Sequence, residues 1–461
     1  MADIDGDSDG HADEDYALEA ERVQAVREAI EAEDSVRIGE LLAPLHPADT
    51  ADLIEQLSER LRRDFVTLWG SALQGDVISE LDEGLRGEII AALPAEVVTE
   101  AVRELESDDV VDLLEDLEEP QQEVVLDALP AAERAAVEQA LSYPEFSAGR
   151  LMQREVVRAP EHWTVGDAID FLRTNGDDLP EQFYHIVLVD PRMRPKGYVT
   201  LGKILSSRRD APLTSITESS FRTIPVTQEE SEVAYAFNQY HLISVPVVDE
   251  DERLVGVITI DDAMAVLDEE HEEDILRLAG VSEGRPSDKI IDTTKRRFPW
   301  LAVNLVTSIL ASLVIAQFED VIAQVVALAV LMPIVASMGG NAGTQTLTVV
   351  VRALATKDLT GSNLWRVLWR ELAVGTLNGM IFAVVMGIVG MVWFGSPMLG
   401  LIIAAAMVVN LIVAGLAGLL IPVVLDKLNI DPALASGAFV TTVTDIVGFF
   451  AFLGLAAMFL L

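Results

Sequence analysis

The sequence predicts a mainly α membrane protein. Its soluble half combines a cytosolic α-helical superhelical repeat domain with a duplicated α/β module, an acidic connecting helix follows, and a five-helix transmembrane domain ends the chain. Three observations carry that expectation. Large apolar residues recur every twelve positions from Leu45 to Leu141, two segments align at an offset of 59 residues, and five long apolar stretches follow Arg297.

Charge divides along the same line. The formal net charge is -43 from 75 acidic and 32 basic residues, yet residues 297–461 hold only seven of the acids and six of the bases. A surface this acidic repels nucleic acid and anionic lipid and favours cations as partners. The same excess is also what a general adaptation to a salty cytoplasm would produce, so function is argued only from particular clusters. No cysteine is present, which excludes disulfides and thiolate metal sites and leaves the redox compartment open. No basic stretch followed by an apolar core opens the chain, so no cleavable signal is expected.

Residues 1–17, MADIDGDSDGHADEDYA, are acidic and apolar-poor and are expected to form a disordered tail. Residues 18–143 hold the twelve-residue repeat, with Leu45, Leu57, Trp69, Leu81, Leu93, Leu105, Leu117, Leu129 and Leu141 in register. Several intervals open on a Pro or an acidic turn, as in LPAEVVTEAVREL and LESDDVVDLLEDL. Each unit is then one short helix, too small to bury a face alone, and the units stack into a superhelix with these residues in its core.

Residues 144–267 contain the second repeat. His185 to Leu205 and Ser244 to Met264 each show an apolar strand ending in Val-Asp (Asp190, Asp249), a turn, a Gly (Gly197, Gly256), and a strand ending in Thr (Thr200, Thr259) that runs into a helix. This pattern resembles a tandem pair of CBS domains, a regulatory module. The resemblance makes ATP a candidate ligand, because Thr259-Ile260-Asp261 is similar to the ribose-contact pattern of such pairs. The first copy has Thr200-Leu201-Gly202 and lacks the acid. The competing role for Asp261 is a helix cap.

Residues 268–297 are assigned to an acidic connecting helix and a linker. Asp268, Glu269, Glu270, Glu272, Glu273 and Asp274 crowd one side, with Leu267, Ile275 and Leu278 on the other. Like charges at helical spacing oppose the helix unless cations sit between them.

The remaining chain, 298–461, holds five spans near 299–318, 322–351, 371–394, 398–425 and 433–460, each long enough to cross a bilayer. Basic residues precede the first span and lie in the second-to-third loop and the fourth-to-fifth loop, while the other two loops have none. The positive-inside rule then places the N-terminus in the cytoplasm and the C-terminus outside a cytoplasmic membrane. Within the second span Pro333, Gly339, Gly340, Asn341, Gly343 and Gln345 form one motif, whose small residues let helices approach and whose amides, four apart, can line a wet path. In the last span Asp445 is the one ionisable residue. A carboxylate there costs roughly 2.5 to 3.5 kcal/mol on insertion scales, so it needs a cation or water.

The helical repeat, the CBS-like pair, the acidic connecting helix, the pattern P-x5-G-G-N-x-G-x-Q and the ending D-P-A-L-A-S…T-T-V-T-D together resemble the MgtE family of magnesium channels. The likeness runs from about residue 20 to the end of the chain. It implies a homodimer in membrane lipid whose pore is lined by the second and fifth spans, with Asp445 helping to select hydrated Mg2+. Asn341, Thr441, Thr442 and Thr444 are then further oxygen donors. Mg2+ suits such a pore, because it gives up its waters reluctantly and prefers oxygen ligands. The resemblance also implies closure by cytosolic Mg2+ bound between acidic surfaces, at Asp262, Glu270, Glu273, Asp274 and Asp431. Ala265 and His241 stand where the family pattern has acids, with Glu269 and Glu272 nearby. A cation-coupled secondary transporter is the alternative. An intramembrane aspartyl protease would need a second deep acid and a protease motif, and neither is found, so an enzyme is not expected.

Overall fold

The computed structural model describes residues 18, 20–115, 117, 119–176, 179–180, 182–218, 220–281 and 290–460. The tail expected over residues 1–17 and the linker segment 282–289 lie outside the described residues. The chain divides into two compact units, Met1–Leu267 and Asp268–Leu461.

The first unit opens with α1 (Ala20–Glu31), α2 (Ser35–Leu42), α3 (Pro47–Glu55), α4 (Glu59–Trp69) and the short α5 (Gly75–Ser79). It continues through α6 (Glu83–Ala92), α7 (Ala95–Glu104), α8 (Ser107–Glu115), α9 (Glu119–Ala128) and α10 (Ala131–Leu141). Pro is placed at helix starts, where its missing N–H is no loss: Pro47 opens α3, and Pro94 and Pro130 cap α7 and α10. The spaced residues fall at helix ends and close each turn onto the core. Leu57, Leu81, Leu93 and Leu117 are buried, and Leu45, Trp69, Leu105, Leu129 and Leu141 pack against them. Alternate helices touch, α3 on α5, α5 on α7 and α7 on α9, so one apolar core runs from Val26 to Ala140.

A polar repeat accompanies the apolar one. Arg62 donates to Leu57 O at 2.8 Å and to Glu88 at 3.1 Å. Two units later Arg86 donates to Leu81 O at 2.7 Å and to Asp112 at 2.6 Å. Each arginine ties the loop before its own helix to a carboxylate on another helix of the stack.

The duplicated module follows α11 (Ala148–Leu151). Strand β1 (Arg158–Pro160) pairs parallel with β2 (His185–Val189), which pairs antiparallel with β3 (Pro195–Thr200). In the second copy β4 (Ile224–Pro225), β5 (Ser244–Val248) and β6 (Leu254–Thr259) repeat that order and those directions. Helices α12 (Val165–Thr174), α13 (Leu201–Ser206) and α14 (Glu230–Tyr240) complete the pair. The 59-residue offset extends to backbone detail. Asp190 and Asp249 each accept two turn N–H groups, and Met193 and Glu252 take left-handed φ values of 64° and 63°. The equivalent residues His185 and Ser244 meet at 2.5 Å where the copies face each other.

Helix α15 spans Ile260–Leu278 without interruption, so the acidic connecting segment is the continuation of the last module helix, where the sequence suggested a separate one. The second unit then holds α16 (Ile290–Ala316), the short α17 (Glu319–Gln324), α18 (Ala327–Ala355), α19 (Leu364–Phe394), α20 (Pro397–Lys427) and α21 (Pro432–Leu460). Five of these helices are long and apolar enough to cross a membrane. Boundaries moved in three places. Helix α16 is already helical at Ile290, the second span starts at Ala327 because α17 takes the preceding residues, and α19 begins at Leu364, seven residues earlier than expected. Helix α20 is the most buried and packs on α18, α19 and α21. Its contact with α19 is backbone-close, since a Cβ on Gly400 would lie 2.5 Å from Gly387 O.

Candidate functional site: ion path and carboxylate clusters

Helix α18 carries one polar stripe. Pro333, Ser337, Asn341 and Gln345 recur every four residues and are all exposed, with Asn341 Nδ2 3.4 Å from Ser337 Oγ. The glycines of the motif divide between two faces. Gly339 and Gly343 are buried on the far side, where a Cβ on Gly343 would come 2.5 Å from Val440 of α21. They bring helices together and do not line the stripe. Gly340 stands against Thr441, whose methyl would be 3.8 Å from an added Cβ. The crossing of α18 and α21 thus sets Gly340, the residue before Asn341, against Thr441.

On α21, Asp445 shares a face with Thr441 and Thr442, at i−4 and i−3, and all three are partly exposed. Thr441 Oγ1 donates to Gly437 O at 3.0 Å and Thr442 Oγ1 to Ala438 O at 2.6 Å. Their protons are turned back into the helix, which leaves oxygen lone pairs outward as acceptors. Thr444 is a correction. It is fully buried, it packs against Gly343, and its hydroxyl donates to Thr441 O at 2.9 Å, so it does not join the face of Asp445.

Among the described membrane helices, the sequence reading missed two buried polar residues, Glu371 and Asn410. Glu371, set at the edge of the third span by the expected boundary, lies two turns inside α19 and is 8% exposed. It accepts from Arg370 at 3.0 Å and from Thr346 at 3.2 Å, beside a cavity of about 170 Å³ that Gln345 and Asn378 also line. Asn410, fully buried in α20, is the other. A lone carboxamide in an otherwise apolar span was a signal visible in the sequence.

In the first unit, the start of α8 meets the start of α15. Glu106, Asp108 and Asp109 face Asp261 and Asp262, with Glu155 adjacent. Burial and then the neighbouring carboxylates push Glu106 and Asp109 up to about 7 and Asp108 well above the ordinary range. Asp262 is raised to about 6 by burial, with Asp261 adding to it against the Thr259 hydrogen bonds. Asp262, not Asp261, takes the capping position, accepting from Thr259 N–H at 3.3 Å and from its hydroxyl at 2.5 Å, while Asp261 stays exposed. The α8 acids stood in the repeat as turn residues, and only the fold brings them to Asp262.

In the second unit, Asp431 of the α20–α21 loop meets the end of α15. Arg277 sits between, 2.6 Å from Glu273 and 3.2 Å from Asp431, so the face expected to be purely acidic contains its own cation. Burial raises Glu270 and Asp274, with Glu273 and Asp431 respectively as the next cause. Among the described residues no three carboxylate or imidazole groups converge tightly enough to hold a bare ion. An ion that keeps its water shell asks less of the protein, and oxygen-only clusters suit it.

A family profile described as "Divalent cation transporter" (MgtE) matches residues 332–455, the "MgtE intracellular N domain" profile matches 45–146, and CBS domain profiles match 148–210 and 214–269. The magnesium transporter MgtE of Bacillus subtilis is 32% identical over 72% of this chain and 73% of its own. The chain belongs to the MgtE family. The magnesium transporter MgtE of Thermus thermophilus is 34% identical over 71% of this chain and 73% of its own. A solved cytosolic domain of the Mg2+ channel MgtE in complex with ATP covers 53% of this chain and 99% of that one, at 31% identity and a TM-score of 0.49. These MgtE relatives carry transporter names, not enzyme names, and with its five candidate spans the chain is a multi-pass membrane protein of that family.

Proposed function

We propose that this chain is a Mg2+-selective channel that imports Mg2+ across the cytoplasmic membrane as a homodimer, with α18 and α21 of each subunit lining the path. One observation carries the reading. Asp445 stands partly exposed on the Thr441–Thr442 face of α21, whose Thr441 meets Gly340, the residue before exposed Asn341, on α18. One carboxylate cannot balance a divalent ion, and a two-fold axis at this face would supply the second. The spent threonine protons and the outward carboxamides suit a hydrated cation, which needs acceptors for its water hydrogens.

The proposed gate uses the two carboxylate clusters. Without Mg2+, Glu106, Asp108 and Asp109 repel Asp261 and Asp262, and Glu270, Glu273 and Asp274 repel Asp431 except where Arg277 intervenes. Cytosolic Mg2+ would bridge them and favour the shut state, a two-state element biased by differential cation affinity. The proposed orientation keeps the first unit in the cytoplasm, and exposed Asp261 with Thr259 is the proposed ATP contact.

Uptake of Mg2+ into proteoliposomes tests the path. Asp445→Asn should lower the rate by about thirtyfold or more, the factor expected when a few kcal/mol of charge pairing is lost. Uptake at the unaltered rate would end the pore reading. Mg2+ on the cytosolic side should inhibit the native protein, and the triple change Glu106→Gln, Asp109→Asn, Asp262→Asn should relieve that inhibition.

A further inference from the structure

Asn410 is an unusual residue to find in the core of α20. Its side chain is fully buried, Nδ2 donates to Val335 O of α18 at 2.8 Å, and Oδ1 has no hydrogen-bond partner among the described residues. Buried polar groups are normally satisfied, and an apolar side chain of the same shape would fill this space without the desolvation cost. Something other than packing keeps an amide here.

Its surroundings identify what that is. The amide lies in a notch made by two glycines, one on each proposed pore helix. A Cβ on Gly339 of α18 would overlap the amide, and a Cβ on Gly448 of α21 would lie 2.8 Å from Nδ2. Gly448 is one turn beyond Asp445, and Gly339 precedes Asn341 by two residues. The carbonyl that Asn410 holds lies two residues after Pro333, which has no N–H to give to the preceding turn of α18. The carbonyl that loses its partner to Pro333 is that of Ala329, so the bond to Val335 O is an additional tie on α18, and the amide wedges against α21 one turn from Asp445.

We infer that Asn410 is a positioning residue for the ion path: seated between Gly339 and Gly448 and bonded to Val335 O, it sets the spacing of α18 and α21 at Asp445 and so the size of ion accepted. The inference rests on the pore reading proposed above. A helix-to-helix distance set by a hydrogen bond and two backbone contacts is stiff, whereas one set by flexible apolar side chains would let the site relax around smaller or larger ions.

The experiment measures Mg2+ and Ca2+ uptake into proteoliposomes by the native protein, Asn410→Leu, Gly448→Ala and Asp445→Asn, with thermal unfolding recorded for each. Asn410→Leu keeps the branched outline with a bulkier tip and removes the donor. Gly448→Ala keeps the donor and displaces the amide. Both should lower the Mg2+ to Ca2+ uptake ratio by about tenfold or more, within the roughly hundredfold that a misplacement of about 1 Å can cost. A changed ratio in Gly448→Ala alone supports the inference even if Asn410→Leu fails to assemble. An unchanged ratio in any variant that assembles, whatever its unfolding temperature, overturns it and leaves Asn410 a packing residue. Failure of the pore reading would show separately, as native uptake by Asp445→Asn.

Discussion

Binding of Mg2+ to the α8–α15 cluster should expel protons, and the structure sets how many. Glu106 and Asp109 are held near pH 7 and Asp262 near pH 6 by burial and by one another. At pH 7 the first two are each about half protonated and the third about one-tenth, so an ion that requires these three ionised releases roughly one proton at least, with Asp108, also raised well above the ordinary range, adding to the count where it ionises too. By linkage the logarithm of affinity then rises by about one for each pH unit near neutrality, or roughly tenfold from pH 6.5 to 7.5, and flattens above about pH 8. Calorimetric titration of the full-length protein with MgCl2, in two buffers of different ionisation enthalpy, reads the proton count directly. The pair of substitutions Glu106→Gln and Asp109→Asn should remove most of it. Saturable binding with no proton release at pH 7, or the same release from the substituted protein, would refute the argument.

Other outcomes follow from the same geometry. Because raised carboxyl values mean that the folded state binds more protons than the unfolded one, the contribution of this cluster to stability should be fully present below about pH 4 and be lost as pH rises through about 6 to 7. In the Mg2+-free protein the unfolding temperature of the first unit should therefore be higher at pH 5.5 than at pH 7.5, with Mg2+ erasing most of the difference. Gly343→Ala should destabilise the membrane unit by about 1 to 3 kcal/mol, because its Cβ meets Val440, whereas Gly361→Ala, with open space around it, should be neutral in the same thermal scan. Arg277→Gln removes the guanidinium between Glu273 and Asp431, so uptake should rise in the absence of cytosolic Mg2+ and be inhibited more steeply on its addition.

Much of the architecture was legible because its signals are local and periodic. The twelve-residue spacing of Leu57, Leu81, Leu93 and Leu117 marks helices that each need a neighbour, and the 59-residue offset appears intact down to the turns at Asp190 and Asp249. Span ends were less legible, since α17 is apolar enough to be taken for the start of α18 and the polar first turns of α19 look like loop. At the candidate sites, spacing along α21 placed Asp445 with Thr441 and Thr442 but could not tell that Thr444 turns inward. Helical phase is readable from one chain, whereas the side that a neighbour covers is not.

The sequence by itself determined the succession of repeat, paired module, connecting helix and spans, and it singled out Asp445 as a charge that must have a reason. Periodicity, apolar length and the cost of a mid-span carboxylate are properties of a segment taken alone. The tertiary structure decided which residues share a space. It brought Glu106, Asp108 and Asp109 to Asp262, put Arg277 between Glu273 and Asp431, and seated Asn410 between Gly339 and Gly448. Charge repulsion, ion pairing and helix spacing depend on distance through space, and residues 38 to 156 positions apart meet only once the chain has folded.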